Sequence, residues 1–584
     1  MIADAVALLG LGACAARLPL AGCGFLATLL CGLGVLLCLP PVIWPAQPVR
    51  LTIPFGPPGL SLHFALDPLS LFFLITVLLA ATAVAAFQSV AGKPTQVRVT
   101  AFAIAGTILA LLAADGIALT LALAVPCAAI ANRPSIVVPL LLFGAVCLLT
   151  PAGYAPRFDA IRAAPIDPGH AAAAAALTIA AVGAMTWRST RARCATQDAL
   201  TAGLLIPFAC YVLLRLIADL SATAVQAWCG SVLLLAGGAV TVVQAWRAAE
   251  SPDLDAAIAA LARRQTGLAI AGIGLAVIAH TADLPGAATL ALEATCLTAV
   301  VAGLAGTVTA LSAHVIGSSA GTYRLSRLGG LIHTMPGTSA ALSGGLLAAS
   351  ALPSSLGFAA LWLAFQSILS APRTEGLLPQ LPLALIAAAM AVSAALATAA
   401  SVRIVGIAIL GRPRTPRGAG AGESSPRPRT ILLALAATAL VAGALPGPIL
   451  RLLADPAIRM MTGLPPGHGL GLLSVPGASP GYLVIPLLAL LALAIGPAML
   501  LTRRVARAPK AAGPWLNGMR PPEGLPFGDP AAQSAGRGFV PAFPELRLPR
   551  LPPLPRTRLP PAIVGLWLIP LGFGALLLVL AVIG

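Results

Sequence analysis

Residues 287–312 read AATLALEATCLTAVVAGLAGTVTALS, and Glu293 is the only charged residue among them. A helix needs about 20 apolar residues to cross a bilayer, so this stretch is long enough for one membrane span. The rest of the chain has the same character: of its 584 residues, 59% are apolar and 9% are charged, against about a quarter in ordinary soluble domains. A soluble enzyme, a nucleic-acid-binding module and a disordered chain are therefore excluded, and a polytopic membrane protein is predicted.

Apolar runs recur along the sequence and predict an all-α, polytopic transmembrane helical bundle of about 14 to 17 helices, some of them short, broken or tilted. Strands are expected only as minor pieces near residues 49–55, because an open sheet leaves its edge groups unsatisfied in lipid. The predicted spans are residues 2–16, 20–40, 67–90, 99–114, 116–132, 135–150, 171–187, 199–218, 226–246, 266–282, 287–312, 337–352, 356–371, 381–410, 430–447, 481–502 and 562–583.

The charges are mostly basic and lie between the apolar runs. Lys and Arg number 35 and Asp and Glu number 18, which gives a net charge of +17. Cations spread over the connections are typical of charges that orient helices in a membrane, whereas a nucleic-acid-binding protein gathers them in one patch. Residues 411–429 and 503–561 are both strongly basic and are separated by two predicted spans, so both are expected on the cytoplasmic face.

Only two of the cations are lysines. Lys93 and Lys510 both lie in polar connections, so no predicted span contains a lysine. The ten cysteines form no CxxC pair, and the sequence has no metal-ligand set, phosphate-binding loop or nucleophile–base pair. The sequence therefore predicts no cofactor, no metal site and no nucleic-acid partner, and it predicts contact with the lipid bilayer.

Three stretches in the middle of the chain carry a resemblance. Residues 323–336 (YRLSRLGGLIHTMP), 351–358 (ALPSSLGF) and 362–369 (WLAFQSIL) are similar to the central block of the proton-antiporter-like membrane subunits. These are the large membrane subunits of respiratory complex I, multisubunit sodium/proton antiporters and group 4 hydrogenases. Four further segments resemble other parts of the same family: 66–73 (LDPLSLFF), 113–123 (AADGIALTLAL), 198–215 (DALTAGLLIPFACYVLLR) and 401–414 (SVRIVGIAILGRPR).

The tail resembles the formate-hydrogenlyase-type hydrogenase subunit most, because WLNG at 515–518 is followed by a long polar stretch and one last apolar run. The resemblance covers about residues 60 to 584 and implies an antiporter-like fold with broken helices in the bacterial inner membrane. It also implies other membrane and peripheral subunits as partners, and redox chemistry that belongs to those partners.

With this resemblance, the chain divides into six units. They are N-terminal transmembrane helices with a short connection (1–60), an antiporter-like transmembrane core (61–410), a basic cytoplasmic loop (411–429), two further transmembrane helices (430–502), a Pro/Arg-rich cytoplasmic stretch (503–561) and a C-terminal transmembrane helix (562–584).

Members of this family carry protons along a line of buried lysines and glutamates, which are costly to bury and therefore functional. At the matching positions this chain has uncharged residues, and only the late-helix lysine keeps a charge, as Arg403. Arginine does not release its proton at an accessible pH, so the resemblance predicts a proton path that is weakened or lost. The uncharged matches are Ala124, Met185, Pro207, Leu297 and Leu361.

Five candidates for an ion path remain: Glu293, Arg403, His280, His314 and His333. Glu293 lies within a span, where a carboxylate requires a polar partner or water; Arg403 is either an intrabundle group or an interfacial anchor. Histidine titrates near neutral pH, but His280 is expected at a helix end, His333 at the interface, and His314 just before GSSAG (317–321), which is expected to break the helix.

Local patterns also predict structural roles. Proline in a helix removes one backbone hydrogen bond, so Pro207 is expected to kink or break its helix. Asp67 and Asp115 each open an apolar run and are expected to cap helix starts. Arg215 and Asp219 are spaced i, i+4 and are expected to pair.

Three functional hypotheses follow. The first is a non-catalytic membrane subunit of a hydrogenase-like or NADH:quinone oxidoreductase-like proton-translocating complex, with its own proton path degenerate. The second is an active proton or cation antiporter subunit that uses Glu293 and Arg403. The third is a membrane scaffold subunit that transports nothing.

Overall fold

The computed structural model describes residues 4–8, 20–43, 50–53, 61–91, 94–130, 137–151, 154, 156–186, 195–220, 227–370, 377–462, 472–473 and 482–505. Most of the predicted span 2–16, the Pro/Arg-rich stretch beyond residue 505, and the predicted last span 562–583 lie outside these residues. Both lysines of the chain also lie outside them.

The described part of the chain is a helical bundle. In it, nine helices are long and apolar enough to cross a membrane and five more apolar helices are shorter, which confirms the predicted polytopic all-α class. The first thirteen helices are α1 (Leu20–Ile43), α2 (Pro68–Ala91), α3 (Pro94–Leu112), α4 (Gly116–Ile130), α5 (Val138–Leu149), α6 (Phe158–Ala163), α7 (Pro168–Thr186), α8 (Ala195–Leu200), α9 (Ile206–Leu213), α10 (Ala227–Glu250), α11 (Leu254–Thr281), α12 (Pro285–Val301) and α13 (Thr307–Ala320).

The later helices include several short ones. They are α14 (Leu331–Thr334), α15 (Pro336–Ala349), α16 (Leu356–Leu369), α17 (Leu377–Ile404), α18 (Pro416–Ala419), α19 (Pro426–Ala444), α20 (Pro446–Ile449), α21 (Asp455–Thr462) and α22 (Val484–Val505), with one 3-10 turn at Leu325–Arg327.

The helices are broken by segments of π geometry, in which an extra residue opens the hydrogen-bond ladder. Such segments often mark functional sites or sharp bends. The described residues contain five of them: Thr201–Leu205, Leu214–Asp219, Ala302–Gly306, Val405–Ile409 and Leu450–Ala454.

Strands are minor. β1 (Arg50–Ile53) pairs antiparallel with β2 (Leu62–Ala65), with Arg50 opposite Ala65. This hairpin confirms the strand expected near residues 49–55. Two very short strands, β3 (Leu472–Leu473) and β4 (Tyr482–Leu483), pair ahead of α22.

Helices α10 and α11 pack antiparallel along a seam of small residues. A Cβ atom at Gly237 would lie 2.4 Å from the backbone nitrogen of Ala271, and one at Gly274 would lie 2.5 Å from the backbone nitrogen of Leu234. Glycine is therefore required for this approach, as is common where helices pack in membranes. On the other side of α10, Gly238 faces Ile386 of α17.

Two predicted helix boundaries are wrong. GSSAG does not end the helix at His314, because α13 continues to Ala320 and only Gly321, with φ +68°, leaves the helix in the left-handed conformation that glycine tolerates. The span expected at 266–282 begins twelve residues earlier, at Leu254, because Arg263 and Arg264 interrupt the apolar run but not the helix.

The predicted helix starts are confirmed. Asp67 Oδ1 accepts a hydrogen bond from the backbone N–H of Ser70 at 2.8 Å, and Asp115 Oδ1 accepts one from Ala118 at 2.5 Å. Each carboxylate satisfies an N–H that has no partner within its helix.

The basic loop 411–429 folds onto the ends of the helices through its one carboxylate. Glu423 accepts hydrogen bonds from the backbone N–H groups of Gly337 (2.6 Å) and Thr338 (3.2 Å) and from the Thr338 hydroxyl, at the start of α15. Partial burial opposes ionisation of Glu423, but these hydrogen bonds prevail and hold its pKa below the usual value.

We expect Glu423→Gln to lower the free energy of unfolding by about 1 kcal/mol, the usual cost of losing a helix cap. Because the folded-state pKa of Glu423 is lowered, its contribution is full above the unfolded-state pKa and is lost as the pH falls through the folded-state pKa. The difference between wild type and variant should thus persist from pH 7 to about 5 and shrink below about 4. Unfolding in detergent over this pH range measures it, with half-exposed Glu250→Gln as control; a pH-independent difference would contradict the prediction.

Candidate functional site: the buried polar groups of the bundle

A cavity lined by apolar side chains and several charged ones opens between α8, α11 and α13, and we name it the vestibule. Its volume, with the open solvent at its mouth, is about 590 Å³. The charged and aromatic side chains that line it are Asp198, Asp255, Arg263, His314 and Tyr323.

Of the three predicted histidines, His314 is the one that lines the vestibule. Its Nδ1 lies 3.3 Å from the Tyr323 hydroxyl. His280 and His333 are exposed, His280 in the last turn of α11 and His333 in the short α14. The structure thus separates the three histidines.

The π segments Thr201–Leu205 and Ala302–Gly306 contact each other, and residues of both line the vestibule. A Cβ atom at Gly203 would lie 2.4 Å from the Thr307 hydroxyl, so the two segments are in contact there. The Thr307 hydroxyl itself donates to the Gly303 carbonyl at 2.6 Å. The two π segments are therefore closely packed through small residues beside the vestibule.

Pro207 lies directly after the first of these π segments, at the second residue of α9. The N–H of Ile206 donates to the carbonyl of Thr201, five residues earlier, instead of four. A locally widened helix accommodates a residue that has no N–H and whose ring crowds the preceding turn. Pro207 is fully enclosed, and Gly303 of the crossing segment packs against its ring.

A second cavity, of about 230 Å³ with the open space at its mouth, lies between α11, α12, α16 and α17, and we name it the apolar cavity. Thr298 carries the one hydroxyl among the described residues that line it, and this hydroxyl donates to the Ala294 carbonyl of its own helix at 2.7 Å. A cavity without free polar groups does not hold an ordered water. Its lining residues are Leu268, Gly272, Ala294, Thr298, Ala360, Leu361, Ala364 and Met390.

The positions that align with the charged residues of the family lie in different parts of the bundle. Leu361 lines the apolar cavity, and Leu297, on the same turn of α12 as Thr298, is fully buried beside it. Met185 is buried in α7, whereas Ala124 is exposed on the outside of α4. Ala124 therefore does not point into the bundle. The residue spacing that gave this match does not show which face of α4 is inside.

Glu293 is 1% exposed and lies where α12 packs against α21. Thr289, one turn before Glu293, lies 3.1 Å (Oγ1 to Oγ1) from Thr462 at the end of α21. Asp455 at the other end of α21 is also 1% exposed, and Cys296 is within electrostatic range of both carboxyl groups. The structure thus places a second buried carboxyl group on the helix that packs against α12.

Sequence reasoning missed Asp455 because residues 446–462 are too short and too polar to be predicted as a span. The available signal was the pair Asp455–Pro456, in which an acidic residue precedes a proline in the first turn, as is common where a helix begins.

Arg403 is 5% exposed near the end of α17, so little of its side chain reaches solvent. Its Nη2 donates to the carbonyl oxygens of Ala248, at 3.2 Å, and of Ser251. These carbonyls belong to the C-terminal end of α10, where backbone acceptors have no partner in the helix. The guanidinium also suits the negative end of the helix dipole, so its contacts are those of a helix cap.

A second group of buried charges, which we name the Arg215 cluster, joins α2, α6 and the π segment Leu214–Asp219. Arg215 is fully buried and bonds Asp67, as well as Asp219 at 2.7 Å, which confirms the i, i+4 pair. Arg162 of α6 forms two further bonds to Asp219, at 2.6 and 2.8 Å, and Arg215 Nε lies 3.3 Å from the Tyr211 hydroxyl. Two cations and two carboxylates balance, so the cluster carries no net charge.

No protein-family model matches this sequence, and no curated protein matches it. Solved structures do match. A chain of the Mrp complex from Dietzia sp. DQ12-45-1b aligns with a TM-score of 0.67 and 20% identity over 86% of this chain and 55% of that one, so this chain spans about half the length of that relative.

Two respiratory complexes are also similar. A chain of the membrane-bound sulfane sulfur reductase, an archaeal respiratory membrane complex, aligns with a TM-score of 0.71 and 18% identity over 88% of this chain and 87% of that one. A chain of respiratory complex I from Thermus thermophilus aligns with a TM-score of 0.59 and 20% identity over 79% and 99%. The chain therefore has the multi-pass fold of the membrane subunits of these complexes, which confirms the predicted antiporter-like bundle.

Proposed function

We propose that this chain is a non-catalytic membrane subunit of a multisubunit proton-translocating complex, of hydrogenase-like or NADH:quinone oxidoreductase-like type, and that its own proton path does not conduct. The observation that carries the proposal is the apolar cavity. A relay needs groups that gain and lose protons and are linked by hydrogen bonds or water. Mostly leucine and alanine line this cavity, and the one hydroxyl among its described lining residues is already bonded.

The environment of Arg403 supports the same conclusion. A guanidinium keeps its proton, and this one donates to two backbone carbonyls at the end of α10. It stabilises a helix end and does not transfer protons. The partners of the subunit would be other membrane and peripheral subunits in a bacterial inner membrane, with the loop 411–429 and the stretch 503–561 on the cytoplasmic face.

A second candidate function is an active proton or cation antiporter subunit that uses Glu293. One observation favours it: Asp455 is also buried, on the helix that packs against α12, so a second carboxyl group is available within the bundle. In this case the ion would pass between α12 and α21, away from the apolar cavity.

Reconstitution distinguishes these two functions. We expect purified wild-type chain in liposomes with an internal pH dye to show proton flux at the lipid background under an imposed gradient, because the relay positions cannot titrate. Flux well above empty liposomes that Glu293→Gln abolishes would contradict the proposal and establish the second function. Copurification followed by identification of the bound subunits tests the membership of a complex separately: a chain that isolates alone from native membranes would contradict it.

A further inference from the structure

A buried guanidinium lies inside the bundle near the apolar cavity. Arg264 of α11 is 2% exposed, and its Nε donates to the hydroxyl of Ser393, which is fully buried on α17, at 2.7 Å. Its Nη2 has no hydrogen-bond partner in the described part of the chain, and no carboxylate there forms an ion pair with it. Arg264 is therefore a positive charge held inside the protein without a neutralising neighbour among those residues.

The position of Arg264 follows from helix geometry. Arg264, Leu268 and Gly272 are spaced four residues apart and share one face of α11, and the latter two line the apolar cavity. On α17, Ser393 lies three residues after Met390, which lines the same cavity. The Arg264–Ser393 pair therefore lies one helical turn from the cavity on both helices.

The same helix lines the vestibule with its earlier turns, through Asp255, Ile258 and Arg263. Along α11, Arg264 comes after the residues of the vestibule and before those of the apolar cavity. With 3.6 residues per turn, it lies on the opposite side of the helix from Asp255 and Ala259, so the guanidinium is on the side of the apolar cavity and not on that of the vestibule.

We propose that Arg264 is a fixed positive charge that excludes cations, hydronium included, from the apolar cavity. Repulsion between like charges is strong where the dielectric constant is low, and arginines exclude protons and cations from membrane pores in this way. Because a guanidinium does not lose its proton, the barrier is permanent. The inference deepens the proposed function, since it names the residue that blocks the path in addition to the missing relay groups.

The test places a reporter carboxyl group in the cavity. Leu361→Glu adds one. Infrared spectra are recorded on the full chain in liposomes at pH 7, and the spectrum of the Leu361→Gln variant is subtracted. The difference gives the ratio of the ionised to the protonated form of the reporter. With Arg264 present, the positive field is expected to keep the reporter mostly ionised. In the Leu361→Glu, Arg264→Gln double variant, the apolar surroundings should favour the protonated form of the reporter, and the ratio of ionised to protonated form should fall at least tenfold.

Two controls separate the field from the packing of Arg264. Ser393→Ala changes the packing around Arg264 but keeps the guanidinium and should keep the reporter ionised. Arg98→Gln removes an exposed arginine of α3 and should leave the ratio unchanged. If Arg264→Gln does not accumulate, Arg264→Met provides the same comparison. An equal ratio with and without the charge of Arg264 would overturn the inference.

Failure of this inference is distinct from failure of the proposed function. A wild-type chain that conducts protons would contradict the proposed function and leave the infrared result unaffected. A reporter that does not respond to Arg264, in a chain that remains non-conducting, would contradict the inference alone.

Discussion

Replacing Arg215 with alanine is expected to lower the free energy of unfolding by about 3–5 kcal/mol, the usual cost of removing one partner from a buried ion pair. The guanidinium is fully buried and bonds the carboxylates of Asp67 and Asp219, which alanine would leave without this cation. It also lies 5.4 Å from the ring centre of Phe158 and 5.3 Å from that of Tyr211, so cation–π contact is lost too.

Unfolding in mixed micelles measures this effect. Arg98→Ala is the matched control, because Arg98 is exposed and, among the described residues, its guanidinium contacts the Phe102 ring alone, at 5.8 Å from the ring centre. Its substitution should change stability by about 0.5 kcal/mol or less. Arg215→Lys should also destabilise, because an ammonium group cannot reproduce the planar fork that reaches two carboxylates. A loss of less than about 1 kcal/mol for Arg215→Ala would show that the Arg215 cluster is not needed for the fold.

Gly237→Leu is the second substitution with a large expected effect, a loss of about 3 kcal/mol or more from overpacking. A Cβ atom there would lie 2.4 Å from the backbone nitrogen of Ala271 and 2.7 Å from the carbonyl oxygen of Gly267. Backbone atoms inside a helix cannot rotate away as a side chain can. Helices α10 and α11 would therefore have to separate along the seam.

Gly183→Leu is the control for this substitution. Gly183 also lies within a helix, α7, but no atom lies within 4 Å of its Cβ position, and the residue is exposed. Leucine also favours the helix more than glycine does, so this variant should be as stable as wild type. The measurement is the unfolding midpoint in detergent together with the yield of monodisperse protein; equal values for the two variants would contradict the close-packed seam.

The sequence was sufficient for the class of protein and for most helix positions, because apolar length is a local property that composition reveals directly. It also predicted the capping roles of Asp67 and Asp115 and the pairing of Arg215 with Asp219, since each depends on residues within four positions of one another. A minor strand near residues 49–55 was also predicted, but its partner strand at residues 62–65 was not.

Contacts between distant parts of the chain could not be read from spacing. Asp67 and Arg215 are 148 positions apart, and their bond depends on how α2 packs against the π segment Leu214–Asp219. The five π segments were also not predicted individually, because the extra residue in each is accommodated by packing against neighbouring helices and leaves no fixed sequence pattern.

The sequence by itself therefore determined that this protein is a helical membrane bundle without lysine in its predicted spans, because hydropathy and residue type require no knowledge of neighbours. Only the tertiary structure decided which buried charges face which cavity. It placed Arg403 on the carbonyls of α10, Asp455 on the helix that packs against α12, and Arg264 one turn from the apolar cavity. The physical reason is that the role of a charge in a bundle depends on the groups that surround it, and those come from helices far apart in the chain.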